Sequence, residues 1–150
     1  MQRLFAMEKS FPVHRAVVAL KSPVLAAAFG GGMLEATTSR LEVPHAKCGA
    51  VESFLRFLYT NTLPSSDALD VLPLAHCYQV EELIRRCGHE LLRSLRPDTV
   101  VSTVVAVRAI REGGTMVAVR AIWDELLNCL RRDACLLTIL CEHVEPIVEM

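Results

Sequence analysis

Five histidines, six cysteines and a run of three glycines are the residues of this 150-residue chain with the most chemistry to offer. Gly30-Gly31-Gly32 has the composition of a phosphate-cradling loop, but no Lys-Ser or Lys-Thr pair follows it and no helix is expected to start there. It reads instead as a helix end and turn, where glycine leaves helical geometry at no steric cost. His14, His45, His76, His89 and His143 have no sequence neighbours that suggest a nucleophile-base pair. The cysteines (Cys48, Cys77, Cys87, Cys129, Cys135, Cys141) contain no Cys-x-x-Cys. The nearest metal-ligand spacings, Cys87 with His89 and Cys141 with His143, are i,i+2 pairs that point to different sides of a helix. Free, reduced and mostly buried thiols are therefore expected, and neither a metal, a cofactor nor a catalytic residue. Cys87 alone, beside Arg85 and Arg86, has the basic company that lowers a thiol pKa.

Composition narrows the class further. Sixteen Lys and Arg against 17 Asp and Glu leave a formal charge of −1, without the basic excess that neutralises nucleic-acid phosphates. The longest uncharged stretch, Ser22 to Leu34, is 13 residues long and contains a proline and three glycines, short of the roughly 20 apolar residues that span a bilayer. The first residues lack the apolar run of a secretory signal, so an intracellular chain, cytoplasmic or nuclear, is expected. With 52% hydrophobic residues, a real core is expected.

Short elements must position whatever function there is in the first 45 residues. Leu4–Met7 and Phe11–His14 flank Glu8-Lys9-Ser10 as a hairpin. Arg15–Lys21 is a short Ala/Val/Leu helix, and Ser22-Pro23 supplies an N-cap with proline at the first position of a helix over Pro23–Phe29. Arg40–Val43 alternates polar and apolar as a third strand, closed by Pro44. Beyond it the pattern is helical. Val51, Phe54, Leu55, Leu58 and Tyr59 form one stripe; Asp67 N-caps a helix carrying Val71, Leu72, Ala75 and Tyr78; and Val80, Leu83, Ile84, Cys87, Leu91 and Leu95 form the next. Pro97-Asp98 is the one clear boundary. Three helices follow: a Val-rich one to about Glu112, one after Gly113-Gly114 with Val119, Ile122, Trp123, Leu126 and Leu130 as core, and one begun by Asp133.

The string Phe11-Pro12-Val13-His14-Arg15-Ala16-Val17-Val18-Ala19-Leu20-Lys21-Ser22-Pro23-Val24-Leu25 closely resembles the start of a BTB/POZ domain. The resemblance continues through Phe29, Met33, Leu41–Pro44, Phe54–Thr60 and Leu74–Leu83, covers about residues 4–95, and looks most like the speckle-type POZ and plant MATH-BTB proteins. It implies an α+β fold, a small three-stranded sheet with a cluster of helices, over residues 1–95. Residues 96–150 are similar in placement to the shorter 3-box and BACK-type helices that follow such domains. The family's first amphipathic helix has no counterpart ahead of the first strand.

The resemblance also implies a function and its residues. Met33-Leu34-Glu35 matches the hydrophobic-x-Glu loop with which cullin-binding members receive a helix of the cullin-3 scaffold; Met fills a partner's groove and Glu pairs at its rim. Ala27 and Tyr59 occupy family positions on the same face. The chain is expected to be an adaptor of a ubiquitin ligase complex, with substrate proteins recruited through a module outside it. The alternative is an oligomerisation or transcription-associated scaffold that touches no cullin. Val17, Leu20 and Lys21 are the expected dimer contacts. With the first helix absent and Lys21 deprived of the acid its family counterpart pairs with, a weak homodimer or a second BTB partner is expected.

Overall fold

A computed structural model describes residues 2–32, 37–44, 46–113 and 117–143. The expected hairpin is present: β1 (Gln2–Ala6) pairs antiparallel with β2 (Lys9–Val13), Leu4 opposite Phe11. Its turn is Met7-Glu8, with Met7 at φ 53°, so Lys9 and Ser10 belong to the strand. Along both strands alternate side chains go inward: Leu4, Ala6, Phe11 and Val13 are buried. β3 (Arg40–Glu42) lies on the other side of β1 and runs parallel to it, Leu4 opposite Leu41, giving the order β2-β1-β3. A parallel neighbour needs a long crossover, and α1 (Arg15–Lys21) and α2 (Pro23–Gly30) lie within it.

Ser22 caps α2 as its sequence suggests. Its hydroxyl accepts from the Leu25 N–H at 3.1 Å and donates to the Tyr78 carbonyl at 2.6 Å, so a fully buried side chain ties α2 to the next layer of helices. The glycine stop differs in mechanism from expectation. Gly31 ends α2 at φ −92°, an extended conformation open to any residue, and no described glycine has a positive φ.

The helices that follow are α3 (Cys48–Thr60), α4 (Ala68–Cys77), α5 (Glu81–Arg93), α6 (Val100–Glu112), α7 (Val117–Arg132) and α8 (Ala134–His143). The stripes are buried as read, with two exceptions at their ends: Tyr59 is 44% exposed and Leu95 is only partly covered. Asp67 does not cap α4. It lies in a short 3-10 turn (Ser65–Asp67), and its carboxylate accepts from the buried Ser53 hydroxyl at 2.5 Å instead. Asp133 does cap α8, accepting from the Cys135 and Leu136 N–H groups at 3.0 and 3.4 Å.

The three helices after Pro97 share one hydrophobic core with the rest, running from Leu4 on the sheet to Leu140 on α8. The join is a close helix crossing. Gly88 on α5 faces Ile122 on α7, and a β-carbon at Gly88 would lie 2.4 Å from Ile122 Cγ1. Trp123 is core, with the Arg111 guanidinium 4.7 Å from its ring centre. No described helix is long and apolar enough to cross a membrane.

Candidate docking surface

The exposed side of α1 and the end of α3 make the candidate surface. On α1, Val18 is fully buried, Val17 half-buried and Leu20 84% exposed, so the helix sits on the core by one narrow edge. A seven-residue helix has little stability of its own. Two side-chain contacts to the end of α3 hold it. At its start, the His14 N–H donates to the Tyr59 hydroxyl at 2.8 Å, and the same hydroxyl lies 3.0 Å from His14 Nδ1. The two rings meet edge to face at 65°. At its end, Lys21 Nζ donates to Asn61 Oδ1 at 2.9 Å and to Glu82 at 3.2 Å. Asn61 is available there because it stops α3 in the left-handed conformation, φ 56°, its N–H on the Phe57 carbonyl.

Lys21 thus pairs with Glu82 at the start of α5. His14, just past the end of β2, is exposed and hydrogen-bonded. Sequence reasoning missed the His14–Tyr59 pair, which is 45 positions apart. The signal for it was Tyr59 itself, a residue with an apolar body and a polar tip at the exposed end of a stripe.

Of the other expected site residues, Ala27 is exposed on α2, packed beside α1. Met33, Leu34 and Glu35 lie outside the described residues. Val17, Leu20, Lys21 and Tyr59 are thus brought to one seam, with Ala27 on the neighbouring helix. A separate cleft of about 390 Å³ lies between the start of α3 and α4, lined by Val43, Lys47, Leu69, Pro73 and Cys77. Lys47 and Asp70 at this cleft pair with each other at 3.1 Å.

The burial of the thiols departs from expectation. All six cysteines are free; Cys77, Cys135 and Cys141 are exposed, and only Cys87 is fully buried. Burial pushes the Cys87 thiol up to about 12, so Arg85 and Arg86 do not make it a reactive thiolate. Both arginines are solvent-exposed and turned to acids on their own helix, Arg85 to Glu81 at 2.6 Å and Arg86 to Glu90 at 3.9 Å.

Comparison with known proteins places this geometry. The BTB/POZ domain family matches residues 3–95. TD and POZ domain-containing protein 4 of Mus musculus is 31% identical over 99 residues, covering 63% of this chain and 27% of that protein. BTB/POZ domain-containing protein At4g08455 of Arabidopsis thaliana is 30% identical over 94 residues, covering 61% of this chain and 39% of that protein. The chain therefore spans 27–39% of the length of these relatives. Among solved structures, the BTB domain of zebrafish PATZ1 superimposes with a TM-score of 0.53 at 23% identity, covering 61% of this chain and 75% of that chain, a likeness of fold.

Proposed function

Because the chain belongs to the BTB/POZ domain family, whose domains mediate protein-protein interaction and dimerisation, we propose that it is an adaptor that receives a cullin-3 type scaffold on the face of α1, α2 and the end of α3. The observation that carries this reading is the seam itself. Tyr59 is presented half-exposed at the end of α3 and held by two hydrogen-bond contacts to His14, with Ala27 exposed on the helix that leads into Met33-Leu34-Glu35. A fixed, half-exposed aromatic suits a helix-in-groove contact, in which a few anchors hold most of the affinity. Substrate proteins are recruited by segments outside this chain. The likeness to speckle-type POZ and MATH-BTB proteins read over about residues 4–95 supports the same assignment. The test is titration with the cullin-3 amino-terminal domain: Met33→Asp places a charge at an apolar anchor and weakens binding by more than ~2 kcal/mol. Unchanged affinity in that variant would remove the loop from the proposal.

One observation favours a second role on the same helix. Leu20 projects from α1 at 84% exposure beside a half-buried Val17, an apolar edge suited to a second BTB domain. Self-association through Val17 and Leu20 accompanies cullin binding in this reading; alone, it defines the scaffold alternative.

A further inference from the structure

Thirteen of the 16 basic residues are arginines, and the three lysines, Lys9, Lys21 and Lys47, all fall in the first 47 positions. An arginine supplies the same positive charge for surface pairing but no amine that can be acylated, so the side-chain amine chemistry of the chain rests on these three groups. The fold treats them unequally. Lys21 is held twice, by Asn61 Oδ1 at 2.9 Å and Glu82 at 3.2 Å, its side chain 26% exposed within the seam of α1 and the end of α3. Lys9 and Lys47 are exposed, Lys9 beside Glu52 at 3.5 Å and over the Phe11 ring at 5.1 Å, Lys47 beside Asp70 at 3.1 Å. Exposed ion pairs of this kind contribute little and open readily. Both amines belong to one corner, because Lys47 precedes the first residue of α3 and Glu52, the partner of Lys9, is in its second turn. The seam is at the other end of that helix, about 20 Å away at 1.5 Å per residue.

We propose that the corner formed by Lys9 and Lys47 is the ubiquitin-acceptor site of the chain itself, and that docking leaves it open while covering Lys21. The inference rests on the adaptor reading and deepens it by naming where a ligase built on this chain modifies its own adaptor. In the transfer, the neutral amine of Lys9 or Lys47 attacks the carbonyl carbon of a ubiquitin thioester held on a cysteine of the conjugating enzyme. The carbon–nitrogen bond of an isopeptide forms, the carbon–sulfur bond breaks, and the proton lost by the amine passes to the departing sulfur, which leaves as a thiol. Beyond Lys47 every basic side chain other than histidine is an arginine, inert in this step, so the later helices carry positive charge without offering an acceptor. Lys47 also lines the cleft of about 390 Å³ between the start of α3 and α4, so acylation there removes the charge that pairs with Asp70 and places ubiquitin over the mouth of the cleft.

Two measurements on the full chain test this. The first needs no partner: with a small excess of an acetylating active ester, Lys9 and Lys47 are expected to react about fivefold or more faster than Lys21, whose amine must first leave two acceptors. Equal rates at the three lysines overturn the inference. The second is transfer in a reconstituted cullin-3 ligase with a ubiquitin-charged conjugating enzyme, read by mass spectrometry of the modified lysines. Lys9→Arg with Lys47→Arg, which keeps both charges, lowers modification of the chain about tenfold or more, whereas Lys21→Arg leaves it within about twofold. A chain that binds the cullin-3 amino-terminal domain yet is modified mainly at Lys21, or at the native rate in the double variant, overturns the acceptor site and leaves the adaptor reading standing. A chain that does not bind the cullin domain removes the adaptor reading and the acceptor site with it.

Discussion

Glu90 is a carboxylate on the buried side of α5, and what it touches makes stability depend on pH. The Ser65 hydroxyl donates to it at 2.7 Å and holds its carboxyl below the usual carboxylate range; burial opposes this, and Arg93, Arg86 and His89 add to it. A folded-state value below the unfolded one means the contribution is fully present above the ordinary carboxylate value and is lost as pH falls through the lowered one. Glu90→Gln is expected to flatten the acid limb of a thermal-stability profile below about pH 4.5 while leaving the neutral region less affected. An unchanged acid limb would show that the Ser65 contact is not coupled to folding. The thiols give a second expectation. At pH 8 a thiol reagent labels Cys77, Cys135 and Cys141 rapidly in the folded chain, Cys87 stays unlabelled, and all six label after denaturation without reductant. Rapid labelling of Cys87 in the folded state would contradict its burial.

The crossing of α5 and α7 fastens the C-terminal helices to the sheet-bearing part. Gly88→Ala adds a methyl against Ile122: alanine's helix propensity favours it by ~1 kcal/mol, and overpacking a buried crossing costs ~1–3 kcal/mol. The single substitution is expected to lower stability by up to ~2 kcal/mol. In an Ile122→Ala background the same methyl fills space and becomes stabilising, a coupling above ~0.5 kcal/mol in a denaturation cycle. Independent effects would mean that α7 yields at this contact. The existence and type of most elements were legible in the sequence, because the helix stripes and the strand alternation have distinct periods and each buries one face. What was not legible follows from contacts between distant residues. Ser53 draws the Asp67 carboxylate away from its cap, and Gly31 leaves α2 in extended backbone, so neither residue type disclosed its local geometry. The parallel placement of β3 beside β1 depends on the crossover packing, to which a three-residue strand gives no clue. At the site, Tyr59 and Ala27 were read from their family positions, whereas the His14 and Asn61 contacts that shape the seam required the fold.

At the scale of the whole molecule, a continuous core carries the short helix α1, which projects an exposed leucine. Leu20 at 84% exposure is the surface on which self-association is expected. Sedimentation equilibrium should show a dimer that tightens with concentration, and Leu20→Asp should shift it to monomer with no change in thermal stability. A Leu20→Asp dimer of native strength would move the interface off α1.

The proposed role of this BTB/POZ domain is docking of a cullin-3 type scaffold. Sedimentation velocity of the chain mixed with the cullin-3 amino-terminal domain tests it most directly. The expected result is a faster-moving complex at low-micromolar concentration, one cullin domain per chain, abolished by Met33→Asp while the self-association of the chain is kept. Two independent boundaries at tens of micromolar, with the chain folded and self-associating as before, would contradict the adaptor assignment and leave the oligomerisation role standing.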